Sequence, residues 1–131
     1  MIGLDTNVLV RYLAQDDAKQ SPLANRLLEK LNAESPGFIS MVTVIELVWV
    51  LQSCYGASRP MLANTLDRLL RTKDIHVQKA DVVWQALRQF RGGSADFADC
   101  LIERSAADAG CVCTYTFDRD ASTSCGMRLV A

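Results

Sequence analysis

The 131-residue sequence is short of several features on which whole classes of activity depend. Histidine occurs once, as His76, which leaves a Ser/His or Cys/His catalytic pair, or a histidine-rich zinc site, little to draw on. The five cysteines (Cys54, Cys100, Cys111, Cys113, Cys125) are odd in number and form no C-x-x-C, so reduced thiols are expected rather than a disulfide framework. No apolar run approaches the roughly 20 residues that span a bilayer; the longest, Val44 to Leu51, is interrupted by Glu46. Met1 leads straight into Ile2-Gly3-Leu4-Asp5 with no basic or apolar leader, which predicts a cytoplasmic protein. An excess of either charge is also missing. The 14 Lys+Arg against 15 Asp+Glu give a net charge of −1, so a polyanion would have to be met by a local patch.

What is present is half apolar, 22% charged and uninterrupted by repeats or low-complexity segments, which predicts one globular domain over residues 1–131. Apolar periodicity predicts strands at Ile2–Leu4, Phe38–Ser40, Ile75–Val77, Cys111–Thr114 and Met127–Val130. Between them it predicts helices at Val8–Leu13, around Leu23, Leu27, Leu28 and Leu31, from about Thr43 to Tyr55, after Ser58 and Pro60, at about Ala80–Arg91, and from a Ser94 cap to Ala109. Strands alternating with helices imply an α/β fold, a three-layer sandwich with a mainly parallel central sheet of about five strands flanked by helices.

The acids fall where such a fold places its ligands, at the C-terminal edge of a parallel sheet. Asp5 follows the first strand, Glu46 lies in the first turn of the helix after the second, and Asp118 follows the fourth. Asp96 and Asp99 open the helix after Gly92-Gly93. Gathering several carboxylates is costly unless a cation neutralises them, and an all-oxygen donor set suits Mg²⁺ or Mn²⁺, one or two ions, rather than softer metals. Such ions activate water and clamp phosphoryl oxygens, which would make hydrolysis possible without a histidine base.

Each acid has an ordinary structural explanation as well. Asp5-Thr6-Asn7 serves equally as a helix N-cap. Thr43-Val44-Ile45-Glu46 has the form of a capping box, in which Glu46 would reach back to the Thr43 N–H. Asp96 suits a helix N-terminus, and Asp118 and Asp120 could belong to a polar loop. Asp99, between apolar neighbours, is the hardest to explain that way.

Together, the opening Ile2-Gly3-Leu4-Asp5-Thr6-Asn7-Val8-Leu9, the segment Ser40…Val44-Ile45-Glu46, the segment Asp96-Phe97-Ala98-Asp99-Cys100-Leu101-Ile102 and Thr116-Phe117-Asp118 resemble the PIN-domain ribonucleases, and within them the VapC-type toxins of bacterial toxin–antitoxin pairs. The resemblance runs over nearly the whole chain, in order and at the usual spacing. It implies a PIN-like fold and a Mg²⁺- or Mn²⁺-dependent endoribonuclease, with Asp5, Glu46, Asp99 and Asp118 as catalytic and metal-binding acids. Asn7 and Thr116 would support them, with Asp96 and Asp120 as additional acids beside matched positions. No acid of the family pattern is missing. The family further implies an RNA substrate, a homodimer and a small cognate antitoxin protein. Arg11, Arg88, Arg91 and Arg119 are the candidate contacts to RNA phosphates, and no cluster of aromatics suggests a stacking platform. Two other readings remain: a different Mg²⁺-dependent phosphotransfer domain, and a module that binds RNA or protein without cleaving it.

Overall fold

Short apolar segments become strands and the amphipathic stretches between them become helices. The computed structural model describes residues 1–130. In chain order these are β1 (Ile2–Gly3), α1 (Thr6–Ala14), α2 (Gln20–Glu29), β2 (Gly37–Ile39), α3 (Met41–Tyr55), α4 (Arg59–Arg71), β3 (Ile75–Val77), α5 (Ala80–Gly92), α6 (Phe97–Asp108), β4 (Tyr115–Thr116), α7 (Arg119–Ser124) and β5 (Arg128–Leu129). They fall into two compact units: Met1–Ser58 with Arg68–Gln78, and Arg59–Asp67 with residues 79–130.

The first unit holds a parallel sheet in the order β1-β2-β3, with Gly37 of β2 level with Ile2 and Ile75, and Phe38 level with Gly3 and His76. Crossover helices make parallel pairing possible. Helix α1 packs against α2 and α3. Leu9 and Val10 of α1 and Val44, Leu47 and Val48 of α3 are buried, an i, i+3, i+4 stripe in α3. Of the periodic leucines that mark α2, Leu23 is 59% exposed, and the helix buries Ser21 and Ala24. These small residues face the neighbouring helix, and the Ser21 hydroxyl donates to the Arg11 carbonyl at 2.8 Å. The opposite side of α3 stays open, with Val42 77% and Trp49 62% exposed. Helix α3 ends at Gly56, whose φ of +62° suits glycine best.

The second unit pairs α5 with α6 and adds α7 against a two-stranded parallel ladder of β4 and β5. Its core contains Leu62, Leu66, Val82, Val83, Leu87, Phe90, Phe97, Cys100 and Leu101.

The α/β class is as expected, but five local expectations are corrected. The five strands form a three-stranded and a two-stranded sheet rather than one. Cys111–Thr114 is not a strand; Cys111 and Val112 are exposed, and the ladder starts where Arg128 N–H donates to the Thr114 carbonyl. Helix α3 begins at Met41 with Ser40 as its cap, and α6 begins at Phe97 with Asp96 as its cap instead of Ser94. Residues 119–124 form α7 where only a loop was expected.

Candidate active site

In the first unit, β1 ends beside Asp5, which takes the N-cap position of α1 and accepts from the Thr6 N–H through Oδ1 at 2.7 Å. Glu46 has no such duty. The Ser40 hydroxyl caps α3, accepting from the Thr43 N–H at 3.1 Å, so the expected Thr43–Glu46 capping box does not form. The helix starts three residues earlier than that box requires. Glu46 therefore sits one turn in, exposed, and lines a cleft of about 390 Å³ with Asp5, Thr6, Asn7, Val10, Arg11, Val50, Cys54 and Tyr55. Within it the Thr6 hydroxyl oxygen is buried and has no hydrogen-bond partner among the described residues.

The cleft's cation is partly committed. Arg11 Nε donates to Gln20 Oε1 at 2.7 Å, and its Nη1 lies 3.5 Å from Asp16 Oδ1. Tyr55 donates its hydroxyl to Asp16 Oδ2 at 2.9 Å, which raises the phenol pKa because the anion would face a carboxylate. The sequence singled out neither Thr6 nor Tyr55 as a site residue. Thr6 was legible only as part of a capping tripeptide, and Tyr55 reaches the cleft because α3 extends four turns beyond its cap.

In the second unit, Asp99 stands in the first turn of α6, half-buried. Its carboxyl pKa is raised, first by burial and then by the charges of Asp96 and Asp118. Asp96 is the N-cap residue of α6 but makes no side-chain capping bond, so its carboxylate is not spent on the helix end. Asp118 does cap: its Oδ1 accepts from the N–H groups of Asp120 (2.8 Å) and Ala121 (3.2 Å). Thr116 Oγ1 accepts from the Asp118 N–H at 3.0 Å, which makes Thr116 a support for Asp118. Asp120 is exposed in the first turn of α7. Beside Asp99, the buried Cys100 lies 3.1 Å from Cys125 sulfur to sulfur. Burial and that neighbour push the Cys100 thiol up to about 12, which removes it as a nucleophile.

Of the arginines, Arg91 is held by Asp67 at 3.0 Å and Asn64 at 3.4 Å, while Arg88 and Arg119 are exposed. Within neither unit do three or more His, Cys, Asp or Glu side chains of the described residues form a group able to hold a metal ion. The donor chemistry still fits a hard divalent cation, which needs only one or two protein carboxylates and takes its other oxygens from water and phosphate. A cleft that holds two carboxylates and an orphaned hydroxyl, and an acid whose pKa is raised by burial and then by its acidic neighbours, are what such an ion would relieve.

These features define a PIN domain, whose family model matches residues 2–124; the chain belongs to that family. It is similar to a VapC ribonuclease of Aquifex aeolicus (strain VF5), with 23% identity over 116 residues covering 88% of this chain and 86% of that protein. Among solved structures it is similar to the Mycobacterium tuberculosis VapC20 toxin, described as cleaving the sarcin–ricin loop, with 20% identity, 93% of each chain covered and a TM-score of 0.45. No helix among the described residues is long and apolar enough to cross a membrane.

Proposed function

We propose that residues 1–131 work as one PIN domain, a divalent-metal-dependent endoribonuclease that hydrolyses RNA phosphodiester bonds as the toxin of a type II toxin–antitoxin pair. Membership of the PIN family and the likeness to a VapC ribonuclease support this reading. The observation that carries it at residue level is Glu46: released from capping by Ser40, it lines the same cleft as Asp5 and Asn7.

Asp5 and Glu46, and likewise Asp99 and Asp118, would be the acids that hold Mg²⁺ or Mn²⁺. The ion, when bound, supplies Lewis-acid activation and neutralises charge developing on the phosphoryl oxygens. The Asn7 amide, on the same cleft, would hydrogen-bond an RNA phosphate. Asp96 and Asp120 add negative potential, and Thr116 holds Asp118 in place. Arg11, Arg88 and Arg119 would steer the RNA backbone. Arg91, occupied by Asp67, would contribute least. The exposed Val42 and Trp49 side of α3 is the surface we assign to a second copy of the chain or the antitoxin, and a cytoplasmic location accords with the reading. The test is cleavage of a mixed structured-RNA pool by purified protein with Mg²⁺ or Mn²⁺. Cleavage that disappears both with chelator and with Asp5→Asn supports the proposal; metal-independent or absent cleavage by folded protein removes it.

A further inference from the structure

Arg59 opens α4, and its guanidinium reaches the turn that joins α5 to α6. Nη2 donates to the carbonyls of Phe90 at 2.7 Å and Gly93 at 3.0 Å, and Nη1 donates to those of Ala95 at 2.9 Å and Ser94 at 3.4 Å. The same group lies over the Phe90 ring, 3.9 Å from its centroid. Phe90 in turn meets Phe97, the first residue of α6, edge to face at 5.8 Å and 88°. One planar cation therefore gathers a carbonyl from the last turn of α5, where the helix is electronegative, and three more from the loop.

That loop has reason to need a clamp. Gly92-Gly93-Ser94 would lose much backbone freedom on ordering, and its carbonyls would otherwise be left to water. From the other side, the Ser124 hydroxyl accepts from the Ser94 N–H at 3.2 Å and lies 3.0 Å from the Ser94 hydroxyl. The packing is close enough that a Cβ on Gly93 would stand 3.0 Å from Ser124 Cβ. The residues that follow at once are Ala95, Asp96 and Phe97, with Ala95 and Phe97 buried, and then Asp99 one turn on. The loop's geometry sets where α6 starts, and the start of α6 sets where both acids stand.

We infer that Arg59 is a positioning residue for the Asp96/Asp99 acids: by tying four carbonyls of the α5–α6 turn it fixes the entry of α6, without touching RNA or metal. The inference rests on the proposed nuclease reading. A purely structural arginine would lower stability and leave the folded protein's site intact, so the two roles separate experimentally.

The experiment compares Arg59→Lys, which keeps charge and stem but loses the planar fork, with Val83→Ala, a core truncation two turns before Phe90. Melting temperature, Mn²⁺ affinity by calorimetry, and kcat and KM for RNA cleavage are measured well below each melting point. A positioning role predicts that Arg59→Lys lowers kcat on the order of tenfold to a hundredfold and weakens Mn²⁺ binding with KM unchanged. Val83→Ala, less stable, keeps both. Should Arg59→Lys fail to fold, Gly93→Ala displaces the same loop with Arg59 in place and is expected to give the same signature. Wild-type kcat and Mn²⁺ affinity in the folded Arg59 or Gly93 variant, or equal losses in Val83→Ala, would overturn the inference alone. A wild-type protein that neither binds Mn²⁺ nor cleaves RNA would overturn it together with the nuclease reading.

Discussion

The two units accommodate negative charge in opposite ways. In the first, Asp5 and Glu46 stand exposed on an open cleft, and Asp5 divides its carboxylate between that cleft and the first N–H of α1. In the second, Asp99 is half-buried among acids, and the cost appears as a raised pKa. Exposure lets water stabilise a carboxylate, whereas burial beside like charges leaves the strain for a cation to relieve. The second unit is therefore where metal binding and folding stability should be most tightly linked.

The largest effects expected are on chemistry. Asp5→Asn and Asp99→Asn should each lower RNA cleavage on the order of 10²-fold or more while circular dichroism stays that of the folded chain. Retained cleavage in either variant would detach that unit's acids from the reaction.

A second prediction separates the units by pH. The raised pKa of Asp99 means that the folded chain holds this proton more tightly than the unfolded chain, whose value lies near 3.8. The cost of burying this charge, and then of its repulsion by Asp96 and Asp118, is absent below that value, and stability falls as pH rises from there through the folded pKa. Metal-free Asp99→Asn should thus melt above the wild type at neutral pH, with the gap closing toward pH 3.8, and Mn²⁺ should reverse the order. In the first unit, Asp17 behaves oppositely. Its carboxylate accepts from the N–H groups of Gln20 and Lys19, which lowers its pKa, so its contribution is present above pH 3.8 and is lost as pH falls through the lowered value. Melting curves of Asp99→Asn and Asp17→Asn across pH 3 to 7 should therefore diverge in sign. Parallel curves would remove the contrast.

The smallest effects concern the arginines. Arg119→Ala should weaken RNA binding and reduce the salt slope by about one. Arg91→Ala should leave both nearly unchanged, because its guanidinium is already held by Asp67 and its exposed ion pair is worth under about 1 kcal/mol. A filter-binding salt titration distinguishes them.

Helix positions and the strands up to Val77 were legible because apolar period and capping chemistry report directly on local structure, as at Gly56 and Pro60. The position of each acid on its element was legible for the same reason: strand ends and helix starts locate Asp5, Glu46, Asp99 and Asp118. Errors arose where one residue type has two competent neighbours. Ser40 and Thr43 can both cap α3, and Ser94 and Asp96 can both precede α6; the choice depends on tertiary packing. At the C-terminal end, Cys111–Thr114 is apolar enough for a strand, but pairing with β5 begins only at the Thr114 carbonyl. The Arg59 clamp was invisible, because four carbonyls from a distant turn leave no mark on the sequence around Arg59.

The most direct test of the account is a comparison of Glu46→Gln with Ser40→Ala, reading cleavage rate and melting temperature on the same samples. If Glu46 serves the cleft and Ser40 serves the helix, Glu46→Gln loses cleavage and keeps its melting temperature. Ser40→Ala then loses about 1 kcal/mol of stability and still cleaves when held below its melting point. A Glu46→Gln protein that cleaves like the wild type would contradict the placement of Glu46 in the active site.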